Sequence, residues 1–257
     1  TKEARPKTTV THQFSTVLYD WGNGVPFRLA DHCDYLSGDF YGDPVQQSIA
    51  CKAYYAISNN HCFEFMTTAN VSLFDHVTLK SKAKLQAHIG LALAHHTPFV
   101  MIDAINADGT QNEETYDLVG EVFADIEKVE KHLGGELRAD VGVYFSQDCK
   151  FAPTRTGSSG TFKTDEDLPH FQAMRGACRA LQREHIPFGI VTRRNLKELD
   201  QYQVIVLPDV LLMDEGETEA IRQFVKKGGA LYAPVVPLPV TSRARSCPTS
   251  SWPMYMG

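Results

Sequence analysis

The chain has 257 residues, 43% of them apolar, enough for one large domain or two ordinary ones, since single domains mostly run to about 100–200 residues. Lys and Arg number 25 against 31 Asp and Glu, a formal net charge of −6; with no long basic run, this argues against a nucleic-acid partner. The longest apolar stretches, such as residues 98–102 and 204–207, fall far short of the roughly 20 residues that a membrane-spanning helix requires, so a soluble protein is expected.

Residues 1–10 are polar and basic but lead into no apolar core of the kind that defines a secretory signal. Cys33, Cys51, Cys62, Cys149, Cys178 and Cys247 form no CxxC pair and follow no regular spacing, which predicts reduced thiols in a cytoplasm and no cysteine-built metal site. In chain order, residues 46–58 have helical character, 63–67 read as a short apolar strand, and 80–95 carry Leu85, Ile89, Leu91, Ala92 and Leu93 at helical spacing. Residues 98–102 form a buried-strand pattern ending at Asp103, and a turn at 106–109 follows. A long amphipathic helix over about 113–132 then ends at Gly134 and Gly135. Short buried strands alternating with longer helices are the signature of parallel βα units. About three units are visible, too few to close an eight-stranded barrel, so the rest of the barrel is expected outside this chain or from another one.

A second periodic block opens with the strand 137–145 and a Gly/Ser/Thr-rich loop over 154–164. It continues as a helix over about 167–185, a strand at 187–191, a short helix near 195–199, a strand at 204–207, a helix over 214–227 and a strand at 230–233. This order is the doubly wound, flavodoxin-like pattern with right-handed crossovers. From Pro234 onward the composition turns to Pro, Ser, Arg and Thr; this tail is left without structure and reads as a replacement of native sequence. Neither Gly22-Asn23-Gly24 nor Gly157-Ser158-Ser159-Gly160 leads from a strand into a helix with phosphate-loop spacing, so no nucleotide cofactor is indicated.

Several strings carry a family resemblance: DHCDY at 31–35, GDFYG at 38–42, FEFMT at 63–67, DHVT at 75–78, ALAH at 92–95 and IDAINADG at 102–109. Together they resemble the C-terminal barrel half of bacterial glycoside hydrolases related to β-galactosidases and α-L-fucosidases that carry a β-galactosidase trimerisation domain. VIVLPD at 204–209 and FVKKGGAL at 224–231 are similar to that trimerisation domain, which has the fold of class I glutamine amidotransferases. The resemblance covers about residues 20–233. It implies part of a (β/α)8 TIM barrel at 1–135, a flavodoxin-like trimerisation-type domain at 136–233 and an irregular tail at 234–257. It also implies a carbohydrate substrate, a homo-oligomer (a trimer), and no cofactor or metal.

Barrel enzymes carry their reacting groups at the C-terminal ends of strands. On that reading Asp34 and Asp39 belong to the sixth unit, Glu64, Asp75 and His76 to the seventh, and Asp103 and Asn106 to the eighth. Glycoside hydrolysis uses two carboxyl groups flanking the scissile bond. Glu64, an ionisable residue within an apolar strand, is the candidate nucleophile, with its partner carboxylate expected on an absent fourth strand. Asp39 is the alternative reactive acid, and Asp34, His76 and Asp103 are candidate sugar ligands. Each has a structural alternative: Glu64 as a paired carboxylate, Asp103 as a turn cap, and Phe40 and Tyr41 as core rather than sugar-stacking rings. Amidotransferase chemistry is rejected on placement, with Cys178 inside a helix and Cys149 in a loop beyond the first strand of the second block. A non-enzymatic α/β scaffold for sugar binding or assembly remains the competing reading.

Overall fold

The computed structural model describes residues 4–14, 26–72, 74–151 and 169–234, with the backbone alone at His76 and Phe151. A short 3-10 helix at Phe27–His32 leads into strand β1 (Leu36–Asp39), helix α1 (Pro44–Ile57) and strand β2 (Phe63–Thr68). After β2 the chain makes an antiparallel hairpin, β3 (Asn70–Ser72) and β4 (Asp75–Leu79), before helix α2 (Lys82–Ala94), strand β5 (Phe99–Ile102) and helix α3 (Glu113–Glu130). Caps fix the helix starts. The Asp43 side chain accepts from Gln46 N before Pro44 at the first helical position, and Ser81 and Asn112 cap α2 and α3 in the same way. Beyond α3, Gly134 and Gly135 take positive φ, a conformation that costs glycine little.

β1, β2 and β5 form one parallel sheet in the order β1-β2-β5. Gln13 adds a parallel bridge to Ser37, and Phe14 N donates to Ser37 O. Alternation sends Leu36, Gly38, Phe63, Phe65 and Thr67 to the helix side, where Phe40 stacks on Phe65 at 4.2 Å and meets Tyr54 edge-on at 5.2 Å. Phe40 is therefore core. Gly38 is required: a Cβ there would stand 2.4 Å from the Tyr54 hydroxyl.

The second sheet follows in chain order with β6 (Val141–Tyr144), α4 (Gln147–Phe151), α5 (Pro169–Arg183) and β7 (Phe188–Val191). A 3-10 helix at Leu196–Gln201, β8 (Val204–Val206), α6 (Glu215–Lys226) and β9 (Ala230–Tyr232) complete it. All pairings are parallel, in the order β7-β6-β8-β9. Numbered within the block this is 2-1-3-4, the flavodoxin-like arrangement. Gly142 on the central strand lets Ile205, Val191 and Tyr202 close over the sheet, since a Cβ would approach Ile205 Cδ1 to 2.6 Å. The Gly/Ser/Thr-rich loop, the start of the helix expected at 167, both glycine clusters weighed as phosphate loops and the tail beyond Pro234 lie outside the described residues.

The chain passes from one sheet to the other near 135, but the packing is continuous. One buried cluster runs from Phe14, Phe40, Tyr54 and Phe65 through Phe171, Met174 and Cys178 to Phe188. Polar ties cross the same boundary: Arg194 reaches Asp31 Oδ1 at 2.6 Å and Ile57 O at 2.7 Å, and Arg179 reaches Asp43 at 3.4 Å.

Candidate functional site

In a parallel sheet, residues paired in register share a face. Gln13, Ser37, Asp39, Glu64, Met66, Thr68, Val100 and Ile102 therefore lie on the side of the first sheet opposite α1 and α2. Along this face the residues change from polar at Gln13 and β1 to apolar at β5.

The C-terminal ends of the three strands gather Asp39, Tyr41, Thr67, Thr68 and Asp103. Gln13 Nε2 donates to Asp39 Oδ2 at 2.9 Å. Beyond the hairpin, Lys80 turns back onto the end of β2, where Nζ donates to Thr68 O at 2.5 Å and Thr67 Oγ1 at 3.3 Å and stands 6.0 Å from the Tyr41 ring centroid. Burial, reinforced by the charge of Lys84, lowers the Lys80 pKa to about 8. Burial and the neighbouring Asp39 charge push the Tyr41 hydroxyl up. Among the described residues three buried side-chain atoms have no hydrogen-bond partner, Tyr41 Oη, His88 Nε2 and Asp103 Oδ2, and all three belong to segments around this sheet. His88 completes a chain in which Gln47 Nε2 donates to Phe40 O and His88 Nδ1 bonds Gln47 Oε1. Since Gln47 uses its amide as donor, His88 Nδ1 carries the proton and Nε2 is a free acceptor.

The candidate residues read from sequence separate into two groups. Asp39 and Asp103 stand at the C-terminal ends of β1 and β5. The turn after Asp103 is built by others: Asn106 Nδ2 bonds Thr110 Oγ1, and Asp108 Oδ1 accepts from Thr110 N. Glu64 lies at the second position of β2, beside Ser37, about 13 Å below the strand's end at ~3.3 Å per residue. That end carries Thr67 and Thr68. Glu64 thus sits toward the edge of the sheet opposite the one that serves barrel enzymes, and burial raises its pKa. Asp34 is at the same lower edge, where its carboxylate accepts from Val10 N at 2.7 Å and its carbonyl from Asn60 Nδ2 at 2.9 Å. Asp75 and His76 fall in β4 of the hairpin rather than at a barrel-strand end; Asp75 Oδ1 accepts from Val77 N and Thr78 N. Sequence reasoning missed Lys80, whose role depends on the hairpin's return. A polar residue directly before the Ser81 cap was the available signal.

At the second sheet Tyr144 Oη donates to Glu217, which also meets Arg193 Nε at 3.3 Å and accepts from Asp214 N at 2.6 Å. Cys149 lies in α4, not in a loop, and its Sγ accepts from Leu211 N at 3.2 Å and Leu212 N at 3.1 Å. The nearby imidazole of His170 offers it no base. Nε2 accepts from Ser146 N at 2.9 Å, so Nδ1 is the protonated nitrogen that bonds Pro208 O at 2.6 Å, and burial lowers the ring's pKa to about 4. Burial also raises the Cys149 thiol.

Comparison with known proteins places these features in a family context. Residues 139–240, which include the second sheet, match the model of the β-galactosidase trimerisation domain. Over 121 residues the chain is 26% identical to the β-galactosidase bgaB of Geobacillus kaustophilus, a match covering 47% of this chain and 17% of that protein. The α-L-fucosidase isoenzyme 2 from Paenibacillus thiaminolyticus superposes with a TM-score of 0.66 at 20% identity, over 90% of this chain and 33% of its own. A β-galactosidase from Rahnella sp. R3 superposes with a TM-score of 0.69 at 16% identity, over 90% and 37%. The chain thus spans 17% of the length of its curated relative and about a third of the solved structures. Among the described residues no helix is long and apolar enough to cross a membrane.

Proposed function

We propose that this chain belongs to a glycoside hydrolase of the β-galactosidase or α-L-fucosidase type. It contributes three neighbouring strands of a (β/α)8 barrel, β1, β2 and β5, together with the trimerisation-type module that follows. The observation that carries the reading is the face of the first sheet turned away from its helices, which ends in Asp39 and Asp103 on the side where barrel enzymes bind their substrates. That face, polar at one edge and apolar at the other, fits the interior of a barrel whose remaining strands come from outside this chain.

Asp39, with one oxygen held by Gln13 Nε2, is the carboxylate best placed for the role first given to Glu64. A glycosidase needs a second carboxyl group across the scissile bond, which the remaining strands would supply. Asp103 offers an acceptor for a sugar hydroxyl through its unpartnered Oδ2. Glu64 and Asp34, at the lower edge, act in this reading as structural carboxylates. The trimerisation module supports a homotrimer, and the free thiols of Cys33, Cys51, Cys62, Cys149 and Cys178 support a cytoplasmic setting.

The reading is tested by hydrolysis of nitrophenyl β-galactoside and α-L-fucoside, with sedimentation for the trimer. Turnover that disappears in Asp39→Asn supports a glycosidase site at the strand ends. A folded chain that neither cleaves these substrates nor binds galactose or fucose contradicts it. Sugar binding without turnover favours the scaffold reading, to which Thr67 and Thr68 at the end of β2, in place of a carboxylate, lend support.

A further inference from the structure

We propose that Lys80 determines specificity in the sugar site at the C-terminal end of the first sheet, selecting a sugar that bears an anionic substituent, a carboxylate or a sulfate ester. The inference rests on the reading of that end as a sugar site and adds its substrate class.

Lys80 follows β4 and immediately precedes Ser81, the cap of α2. Its ammonium is fixed by two neutral oxygens, Thr68 O at 2.5 Å and Thr67 Oγ1 at 3.3 Å. No carboxylate among the described residues forms an ion pair with it, and the neighbouring charge that acts on it is another cation, Lys84. A partly buried charge is costly unless something answers it. Here the ammonium is held by two neutral oxygens and the Tyr41 ring face, with no ion pair among the described residues, at the end of the strand that lies between β1 and β5. Two of the three ammonium donors are used, leaving one. Tyr41, whose ring centroid lies 6.0 Å from Nζ, has a buried hydroxyl with no partner. An ammonium with a donor to spare is a group that recognises carboxylate or sulfate oxygens. A purely structural Lys80, tying the hairpin to β2 and resting over the Tyr41 ring, would leave its third donor unused.

The test titrates the 257-residue chain with galactose, galacturonate and galactose 6-sulfate, followed by NMR, in wild type, Lys80→Met and Lys80→Arg. One charge-assisted hydrogen bond predicts that the wild type binds the acidic sugars roughly ten-fold more tightly than galactose. Lys80→Met levels the three affinities and Lys80→Arg keeps the preference. Equal affinities in the wild type, or a preference that survives in Lys80→Met, would overturn the inference while leaving the sugar-site reading intact. Failure to bind any of the three overturns both. Should Lys80→Met not fold, the wild-type ratio and Lys80→Arg decide.

Discussion

Around the four-stranded sheet the buried polar groups answer one another: Tyr144 with Glu217, Glu217 with Arg193 and the Asp214 cap, His170 with Ser146 and Pro208. Around the three-stranded sheet Tyr41, His88 and Asp103 each hold a buried atom without a partner, and Lys80 forms no ion pair among the described residues. Both regions are built from short parallel strands and capped helices, so the difference lies in what each has finished. A module in which no buried side-chain polar atom among the described residues lacks a partner has the character of a scaffold. The unsatisfied atoms of Tyr41 and Asp103, both beyond the C-terminal ends of strands, fit the proposed sugar site there.

Four variants or conditions sharpen that contrast. The largest effect is expected from Phe65→Ala, which removes a ring stacked between Phe40 and Phe99 and costs about 3–5 kcal/mol by loss of burial and cavity formation. Because one core serves both sheets, chemical denaturation should still show a single transition, shifted to lower denaturant; two separate transitions would show the sheets to be independent. Tyr144→Phe strips a hydrogen bond from a buried carboxylate and should cost about 1–3 kcal/mol, read as a lower melting temperature.

Acid is the third way to probe the contrast. Burial lowers the pKa of His88, His95 and His170 from 6.5 to about 4 in the folded chain. The unfolded chain takes up those protons at the ordinary value, so the stability they preserve above pH 6.5 is lost as the pH falls toward 4. Melting temperatures should be level above neutrality and fall with growing slope below about pH 6. His170→Gln should flatten part of that slope if its ring is the neutral species described. The smallest effect on stability belongs to Tyr41→Phe. Removing a hydroxyl that has no partner should leave the stability within about 0.5 kcal/mol of wild type or raise it, the opposite of Tyr144→Phe, while weakening sugar binding.

Much of the fold was legible in the sequence, and the reasons are specific. The apolar spacing of α2 and α3 and the unbroken run of β8 leave little alternative, whereas the caps Asp43 and Ser81 go unread, so that helices expected from 46 and 80 begin at 44 and 82. The β3–β4 hairpin was not legible. Its strands are short, and the bonds from Val77 N and Thr78 N to the Asp75 side chain look like an ordinary loop in sequence. Glu64 stands out as a charge inside an apolar strand, at the second position both of the expected run 63–67 and of β2. Asp39, by contrast, is the last residue of β1, a strand that the periodicity does not mark; its candidacy comes from the family resemblance.

The most direct test of the account compares Asp39→Asn with Glu64→Gln in galactose binding and nitrophenyl galactoside hydrolysis, each variant first shown to melt like wild type. If the site lies at the C-terminal end of the first sheet, Asp39→Asn abolishes turnover and weakens binding, whereas Glu64→Gln stays near wild type in both. Loss of function in Glu64→Gln with Asp39→Asn unaffected would place the chemistry at the opposite edge of the sheet and contradict the account.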